Sequence, residues 1–254
     1  MRFLTKAARR WLSSGDAAVL GRNVPTNGSG QSSSRRALLE CLRAAKGASP
    51  RVLDLGSGSG SSYDVVASAA PLAAWVGVDI ADSPEVQTRT PRDLAFVTFD
   101  GTRLPLAAGS FDLVYSHQVF EHVRWPAALL AEVARVLSTD GVFVGSTSQL
   151  EPFHSRSLWN YTAYGFVELL RAAGFCGIQI LPGIDGLTLT GRRIFSFVKL
   201  GRPFDYFFER ESPLNLAIEF AARIVGLEPA ARNVLKLVFA GQFVFVARKS
   251  PIGS

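Results

Sequence analysis

The residues of this chain that could do chemistry begin with a glycine-rich sequence behind an apolar segment. Val52 to Leu55 form that segment, and five residues of Gly-x-Gly-x-Gly pattern follow: Gly56, Ser57, Gly58, Ser59 and Gly60. A strand that ends in such a turn and continues as a helix places bare backbone amides and a helix N-terminus against a ligand. The dinucleotide fingerprint GxGxxG would need a glycine where Ser61 stands. The sequence therefore predicts a nucleotide-like ligand and disfavours a dinucleotide.

Acidic residues lie at or near the ends of three successive predicted strands. Asp54 stands two residues before the first glycine, Asp79 ends the next strand beside Ile80, and Asp100 precedes Gly101 after the third. A carboxylate at the first position can face a cationic amino group, and one at the second can accept both hydroxyls of a ribose. Aspartate is also a common turn former. Three aspartates at one edge of the sheet favour a binding site over a role as turn formers alone.

The elements that must position these residues alternate along the chain. The predicted strands are 51–55, 74–79, 95–99, 112–116, 141–147, 177–181 and 242–248, and the predicted helices are 35–45, 61–70, 126–137 and 162–173. Alternation of this kind is typical of an α/β fold with a parallel sheet and helices on both faces. The carboxyl ends of its strands form the ligand-binding edge.

The ordered motifs over residues 50–180 resemble the small-molecule S-adenosylmethionine (SAM)-dependent methyltransferases related to the ubiquinone and menaquinone enzymes. The motifs are Asp54 with the glycines, Asp79, Asp100, the segment Leu104 to Val114, and Phe120-Glu121-His122-Val123. The resemblance implies a class I, Rossmann-like fold: a seven-stranded sheet, mostly parallel with an antiparallel last strand. It also implies SAM as the cofactor. The sequence has no Cys/His cluster or His-x-x-x-His pattern, so we expect no metal site.

The resemblance assigns roles to particular positions. Asp54 and the glycines would surround the methionine moiety, Asp79 would bind the ribose, and Asp100 would face the adenine. The expected cofactor-binding set is Asp54, Gly56, Ser57, Gly58, Gly60, Asp79, Ile80, Asp100, Gly101, Ser116 and His117. One departure is visible, because Pro84 and Pro91 leave little room for the usual helix after the second strand.

Three residues are candidates for a catalytic base. SAM carries an activated methyl group, so the protein mainly has to align the acceptor and exclude water. If the acceptor is a hydroxyl, a base with a pKa near 7 would help. His154 is the first candidate and Glu121 the second; His122 is the third, and it could equally cap or pack the following helix.

The acceptor is indicated only by residue types. Residues 153–162 are rich in hydroxyl, amide and aromatic groups, which suit a sugar, although a helix N-cap at Thr162 with packed aromatics would look the same. We expect O-methylation of a hydroxyl on a sugar, glycolipid or other small metabolite. Methylation of a quinone or lipid at a membrane surface and a non-catalytic binding role are the alternatives. The run Ser116-His117-Gln118-Val119 replaces the Asn/Asp-Pro-Pro-Tyr box, which disfavours a nucleic-acid substrate despite the net charge of +6.

Two regions lie outside this pattern. Residues 1–34 are predicted to form a basic amphipathic helix and a flexible connector, and residues 35–254 a methyltransferase domain. Within that domain, residues 184–241 are predicted to form a helical insert with a polar stripe of Asn215, Glu219 and Arg223. Residues 1–12 could contact a membrane or dock on their own domain, and the insert could form a membrane-facing patch, a cap or a homodimer surface. Without an apolar window of about 18 residues or a signal sequence, we expect a cytoplasmic protein.

Overall fold

The first half of the chain alternates strands and helices as its hydrophobic periodicity predicts. A computed structural model describes residues 15–45, 49–90, 93–199 and 201–250, so the predicted helix at 2–12 lies outside the described residues. The elements of this half are α1 (Gly15–Gly21), α2 (Ser34–Ala44), β1 (Arg51–Leu55), α3 (Ser62–Ala69), β2 (Ala74–Ile80), α4 (Pro84–Gln87), β3 (Phe96–Phe99), β4 (Phe111–His117), a 3-10 helix (Phe120–His122) and α5 (Pro126–Val136).

The second half carries the remaining strands and the helical insert. Its elements are β5 (Leu137–Ser148), α6 (Ala163–Ala172), β6 (Phe175–Pro182), α7 (Gly186–Ser196), a 3-10 helix (Arg202–Phe208), α8 (Pro213–Ile224), α9 (Pro229–Val238) and β7 (Gln242–Lys249). The seven predicted strands are all present. Helix α7 and its following 3-10 helix were not predicted, because apolar and basic residues alternate irregularly there. Within the described residues, no helix is both long and apolar enough to cross a membrane.

The seven strands form one sheet in the order β3-β2-β1-β4-β5-β7-β6. The pairs β1 with β2, β1 with β4, β2 with β3, and β4 with β5 are parallel. The last strands are antiparallel, so the predicted fold class is confirmed. Leu55 at the end of β1 pairs with Val78 on one side and Ser116 on the other. The chain segments that follow β1, β2 and β4 therefore leave the sheet at the same edge.

The chain divides into two compact units. Unit 1 consists of the described residues within Met1–Ser33, Thr147–Val167 and Gln179–Val244, and unit 2 of those within Ser34–Ser146, Glu168–Ile178 and Phe245–Ser254. In unit 2 the ring of Phe143 lies 5.8 Å from Phe120, 5.6 Å from Phe175 and 4.8 Å from Phe245, centroid to centroid. This aromatic cluster and the apolar side chains of β1 and β4 form the core of unit 2.

Unit 1 has a charged centre. The Lys236 side chain is completely buried, and its Nζ lies 3.2 Å from Glu211 Oε1 and 3.0 Å from Glu219 Oε2. The polar stripe of α8 takes part, because Glu219 also accepts hydrogen bonds from Arg223 and Arg232. Buried ions of this kind are tolerated only when they are paired and hydrogen-bonded.

The serine- and glycine-rich segment 23–33 is held against these helices. Gln31 Oε1 accepts hydrogen bonds from Ser212 N and Asn215 Nδ2, at 3.0 and 2.8 Å. Ser29 Oγ donates to Glu219, and Asn233 Nδ2 donates to two backbone carbonyls of the segment. Composition indicates a flexible connector, whereas these side chains from distant helices satisfy its backbone polar groups.

Candidate functional site

The glycine-rich turn begins where β1 ends, in unit 2. Gly56, Gly58 and Gly60 have φ values of 71°, 47° and 80°, in the left-handed region that favours glycine. At Gly56 the space is closed as well, because a Cβ there would lie 2.3 Å from Cγ2 of Val119. Backbone conformation and close packing both require glycine at this position.

The amides of the turn are bonded within the protein. Gly56 N and Ser57 N donate to Val78 O, at 2.8 and 3.1 Å. Gly58 N donates to Asp79 Oδ2 at 2.7 Å. The expectation of bare amides facing a ligand is therefore wrong for these three groups, because the end of β2 supplies their acceptors. What the turn presents at this edge is its shape and its side chains.

The Asp79 carboxylate sits against the turn. Its Oδ1 accepts a hydrogen bond from Ile80 N at 2.7 Å, and its Oδ2 bonds to Gly58 N as described. Burial raises the pKa of Asp79, although the two backbone hydrogen bonds and the charge of Arg89 act in the opposite direction. The carboxylate is thus positioned rigidly at the end of β2.

Arg89 is a neighbour of the turn that the sequence did not single out. Its Nε donates to Gly58 O at 2.7 Å, and its guanidinium lies 3.5 Å from the centroid of the Phe96 ring. Arg89 follows the four-residue helix α4. Pro84 was expected to leave little room for a helix after β2, and α4 is correspondingly short. A single arginine in a short polar segment gives no sequence signal for such a contact.

Asp54 is buried on β1. Ser62 Oγ donates a hydrogen bond to its Oδ2, and Trp75 Nε1 donates to Ser62 Oγ at 3.0 Å. Burial raises the pKa of Asp54 to about 7, and the nearby charge of Asp79 acts in the same direction against the hydrogen bond from Ser62. A carboxyl group that titrates near neutrality can change its charge when a cation binds beside it.

Asp100 and Gly101 follow β3. Asp100 Oδ1 accepts hydrogen bonds from Thr102 N at 2.8 Å and Arg103 N at 2.7 Å, which lower its pKa. Gly101 has a φ of 84°. Asp100 therefore does form a turn at the strand end, and its exposed carboxylate stays ionised there.

Two buried hydroxyls lie at the ends of β1 and β4. Among the described residues, neither Ser57 Oγ nor Ser116 Oγ has a hydrogen-bond partner. A buried hydroxyl without a hydrogen-bond partner destabilises the folded protein by about 1–3 kcal/mol, so such groups commonly bind a ligand or a water molecule. They sit on neighbouring strands, because Leu55 pairs with Ser116.

His117 ends β4 beside a chain of polar groups. Its Nδ1 lies 2.8 Å from Ser34 Oγ and 3.0 Å from Ser146 Oγ, and Ser34 Oγ is 3.0 Å from the Tyr115 hydroxyl. The next residue, Gln118, has a φ of 54°, which is uncommon outside glycine. A strained residue at a strand end often marks a functional edge.

The candidate bases occupy both units. Glu121 is completely buried in the 3-10 helix of unit 2, and His122 beside it is half-buried. His154 lies in unit 1, on the loop after β5, with its Nδ1 3.7 Å from Glu151 Oε1. Glu151 Oε2 accepts hydrogen bonds from Ser148 Oγ at 2.7 Å and Gln242 Nε2 at 2.8 Å.

Glu151 was missed by the sequence reasoning. The only sequence signal for a role of Glu151 is its position three residues before His154. The hydrogen bond that holds its carboxylate comes from Gln242 on β7, far along the chain. A carboxylate fixed in this way can orient an imidazole ring.

The loop of His154 also carries exposed rings. Phe153 is 74% exposed and Trp159 46% exposed, whereas Tyr161 packs its ring 5.3 Å from Phe166. Thr162 Oγ1 accepts a hydrogen bond from Gly165 N at 3.0 Å, so the N-cap interpretation of Thr162 holds. The packed and the exposed aromatics of this loop are thus different residues.

Comparison with known proteins finds similar sequences over the same part of the chain. Residues 53–145 match the family described as "Methyltransferase domain". A probable S-adenosylmethionine-dependent methyltransferase of Mycolicibacterium smegmatis is 35% identical over 136 residues, which are 49% of this chain and 51% of that protein. A demethylmenaquinone methyltransferase of Beutenbergia cavernae is 37% identical over 149 residues, 55% of this chain and 57% of that protein. The chain thus matches little more than half the length of these relatives.

A solved structure extends the likeness in fold. The structure of Haemonchus contortus phosphoethanolamine N-methyltransferase 2 in complex with S-adenosyl-L-methionine aligns with 96% of this chain and 60% of its own, at a TM-score of 0.55 and 16% identity. At that identity the similarity concerns the fold alone.

Proposed function

We propose that the whole chain transfers the methyl group of SAM to a hydroxyl of a sugar, glycolipid or other small metabolite, because residues 53–145 match the family described as "Methyltransferase domain". The pairing of His154 with the fixed carboxylate of Glu151 is the observation that carries the choice of a hydroxyl acceptor. A hydroxyl is a poor nucleophile until its proton is removed, and this pair is suited to removing it.

The residues of unit 2 fit the cofactor. SAM offers an ammonium group, ribose hydroxyls and an adenine amino group as donors, and Asp54, Asp79 and Asp100 are acceptors at the ends of three adjacent strands. Burial leaves Asp54 close to its titration point, so an ammonium group nearby would favour its ionised form. The unpartnered hydroxyls of Ser57 and Ser116 could hydrogen-bond the same ligand. When bound, SAM supplies the electrophilic methyl group.

The transfer balances without another reactant. The acceptor oxygen would form a bond to the methyl carbon while the carbon–sulfur bond breaks. The electron pair of the broken bond would stay on sulfur, so the sulfonium becomes the neutral thioether of S-adenosylhomocysteine. The hydroxyl proton passes to the imidazole of His154, and Glu151 stabilises the resulting imidazolium. Glu121 and His122 remain the other candidates for this proton.

The loop of His154 supports a sugar-containing acceptor. The exposed rings of Phe153 and Trp159 offer flat apolar faces that the C–H groups of a sugar can cover. Ser157 and Asn160 stand in the same loop and can donate to and accept from hydroxyls.

Methylation of a quinone or lipid is a second candidate. The relative named demethylmenaquinone methyltransferase is 37% identical in the matched region. The exposed rings of Phe153 and Trp159 could also bind an apolar substrate. In that case carbon, rather than oxygen, could receive the methyl group.

The test is release of S-adenosylhomocysteine from SAM, measured with sugars and glycolipids in one panel and quinone precursors in another, with the product examined by NMR. We expect turnover with the first panel and a new O–CH3 signal. A C–CH3 product would favour the second candidate, and SAM binding without turnover in either panel would favour a non-catalytic role.

Variants of the proposed pair sharpen this test. His154→Gln should lower kcat by about 100-fold or more, as loss of a general base does, with the Kd for SAM unchanged. Glu151→Gln should lower kcat less, because the ring remains. Glu168→Gln is the matched control, since Glu168 is exposed on α6 and pairs with Arg171. Equal kcat in His154→Gln and wild type would remove this base from the proposal.

A further inference from the structure

Helix α7 turns an apolar face to solvent. Leu187, Ile194, Phe197 and Val198 are 69%, 58%, 81% and 63% exposed. On a helix that advances by about 100° per residue, Leu187 and Ile194 fall within about 20° of one another, and Phe197 and Val198 lie in the turn that follows the helix. We call these four residues the α7 face.

The rest of the helix is firmly packed within unit 1. Asp185 caps its N-terminus by accepting a hydrogen bond from Thr188 N at 2.7 Å, and Leu189 is buried. Phe195 stacks on Phe204 at 5.4 Å, close to Gly191. An ordinary surface helix would place polar residues on its outward side, so the apolar α7 face is the unusual feature.

Positive charges predominate around the α7 face. From Gly186 to Phe204 the sequence has Arg192, Arg193, Lys199 and Arg202 and no acidic residue. Arg192 is paired with Asp205 at 2.7 Å. Within the part of the chain that the structure describes, the other three cations have no carboxylate within ion-pairing distance.

We propose that the α7 face docks on an anionic lipid bilayer. Apolar side chains flanked by unpaired cations are what an interfacial helix presents to anionic headgroups, with the apolar side chains entering the boundary of the acyl chains. The charge also argues against a second copy of this chain, because a two-fold contact through α7 would bring like charges together. This inference goes beyond the proposed function and does not depend on which acceptor is methylated.

The test is co-sedimentation of the full chain with vesicles of phosphatidylcholine alone and of phosphatidylcholine with phosphatidylglycerol. We expect binding to the anionic vesicles that weakens as salt is added. The double variant Ile194→Ser/Phe197→Ser should lower the partition coefficient by about tenfold or more per side chain. Leu72→Ser is the matched control, since Leu72 is 68% exposed in unit 2.

Charge variants provide a second, independent arm. Lys199→Glu and Arg202→Glu should each reduce anionic binding by about fivefold or more, whereas Arg43→Glu, on an exposed position of α2, should not.

Three results would overturn the proposal. These are no binding by the wild type, unchanged binding by Ile194→Ser/Phe197→Ser, and equal binding to neutral and anionic vesicles. The second would also result if residues 1–12 alone made the contact. A dimer in sedimentation equilibrium that dissociates in the same double variant would assign the α7 face to a second copy instead.

Discussion

Cofactor binding should tighten as the pH rises because of the Asp54 carboxyl. Its pKa is raised to about 7 by burial, whereas an ordinary aspartate titrates near 4. If the ammonium group of SAM pairs with the ionised form, binding must first release the proton. The ionised fraction rises from about 3% at pH 5.5 to about 75% at pH 7.5, so the Kd should fall by about 25-fold over this interval.

Isothermal titration calorimetry of SAM at several pH values measures this effect. Asp79 also has a raised pKa, so the variant Asp54→Asn is needed to isolate the contribution of Asp54. We expect the variant to bind weakly and with little dependence on pH. The reasoning is refuted if the wild type shows no tightening, or if Asp54→Asn shows the same tightening as the wild type.

Further predictions concern the turn, the ribose carboxylate and the charged centre of unit 1. Asp79→Asn should weaken SAM binding by about 1–3 kcal/mol in calorimetry, because a charge-assisted hydrogen bond becomes a neutral one. Gly56→Ala should lower the Tm, since its Cβ would lie 2.3 Å from Val119 Cγ2 at a φ of 71°. Glu219→Gln should lower the free energy of unfolding in urea by about 3–5 kcal/mol, because it leaves Lys236 buried with one partner fewer. Burial alone would raise the pKa of Glu219, but hydrogen bonds from Lys236 and Arg223 lower it to about 2, so its stabilisation is present above about pH 4.5 and is lost toward pH 2.

Matched controls separate these effects from general damage. Gly109 has a positive φ of 67°, but no atom of the residues that the structure describes lies within 4 Å of an added Cβ, so Gly109→Ala should lower the Tm less than Gly56→Ala. Glu168→Gln breaks an exposed pair and should cost about 0–1 kcal/mol. Asp93→Asn changes an exposed carboxylate and should leave the Kd for SAM unchanged. Effects in the controls as large as those in the variants would contradict the assignments.

The fold and one edge of the sheet were predictable because their signals are local. The apolar run of β1, the glycines that follow and the acids near the ends of β1, β2 and β3 are each written within a few residues. The rule that parallel strands end at one edge then brings Asp54, Asp79 and Asp100 to the same side. That rule needs the strand order but no side-chain detail.

The missing parts depend on contacts between distant segments. The bond from Gly58 N to Asp79 requires the register of β1 on β2, which no single segment encodes. Lys236 looks like an exposed cation of an amphipathic helix until Glu211, 25 residues earlier, and Glu219 surround it. The insert at 184–241 was expected to offer a possible membrane-facing patch, but the exposed residues of the α7 face could not be singled out because an apolar face is normally read as core.

Calorimetric titration of SAM into the purified full chain tests the central claim most directly. We expect binding in the micromolar range at pH 7.5, weakened about 5- to 150-fold in Asp79→Asn. Absence of heat and of any SAM-induced rise in Tm at millimolar cofactor, in a protein that is folded by circular dichroism, would contradict it.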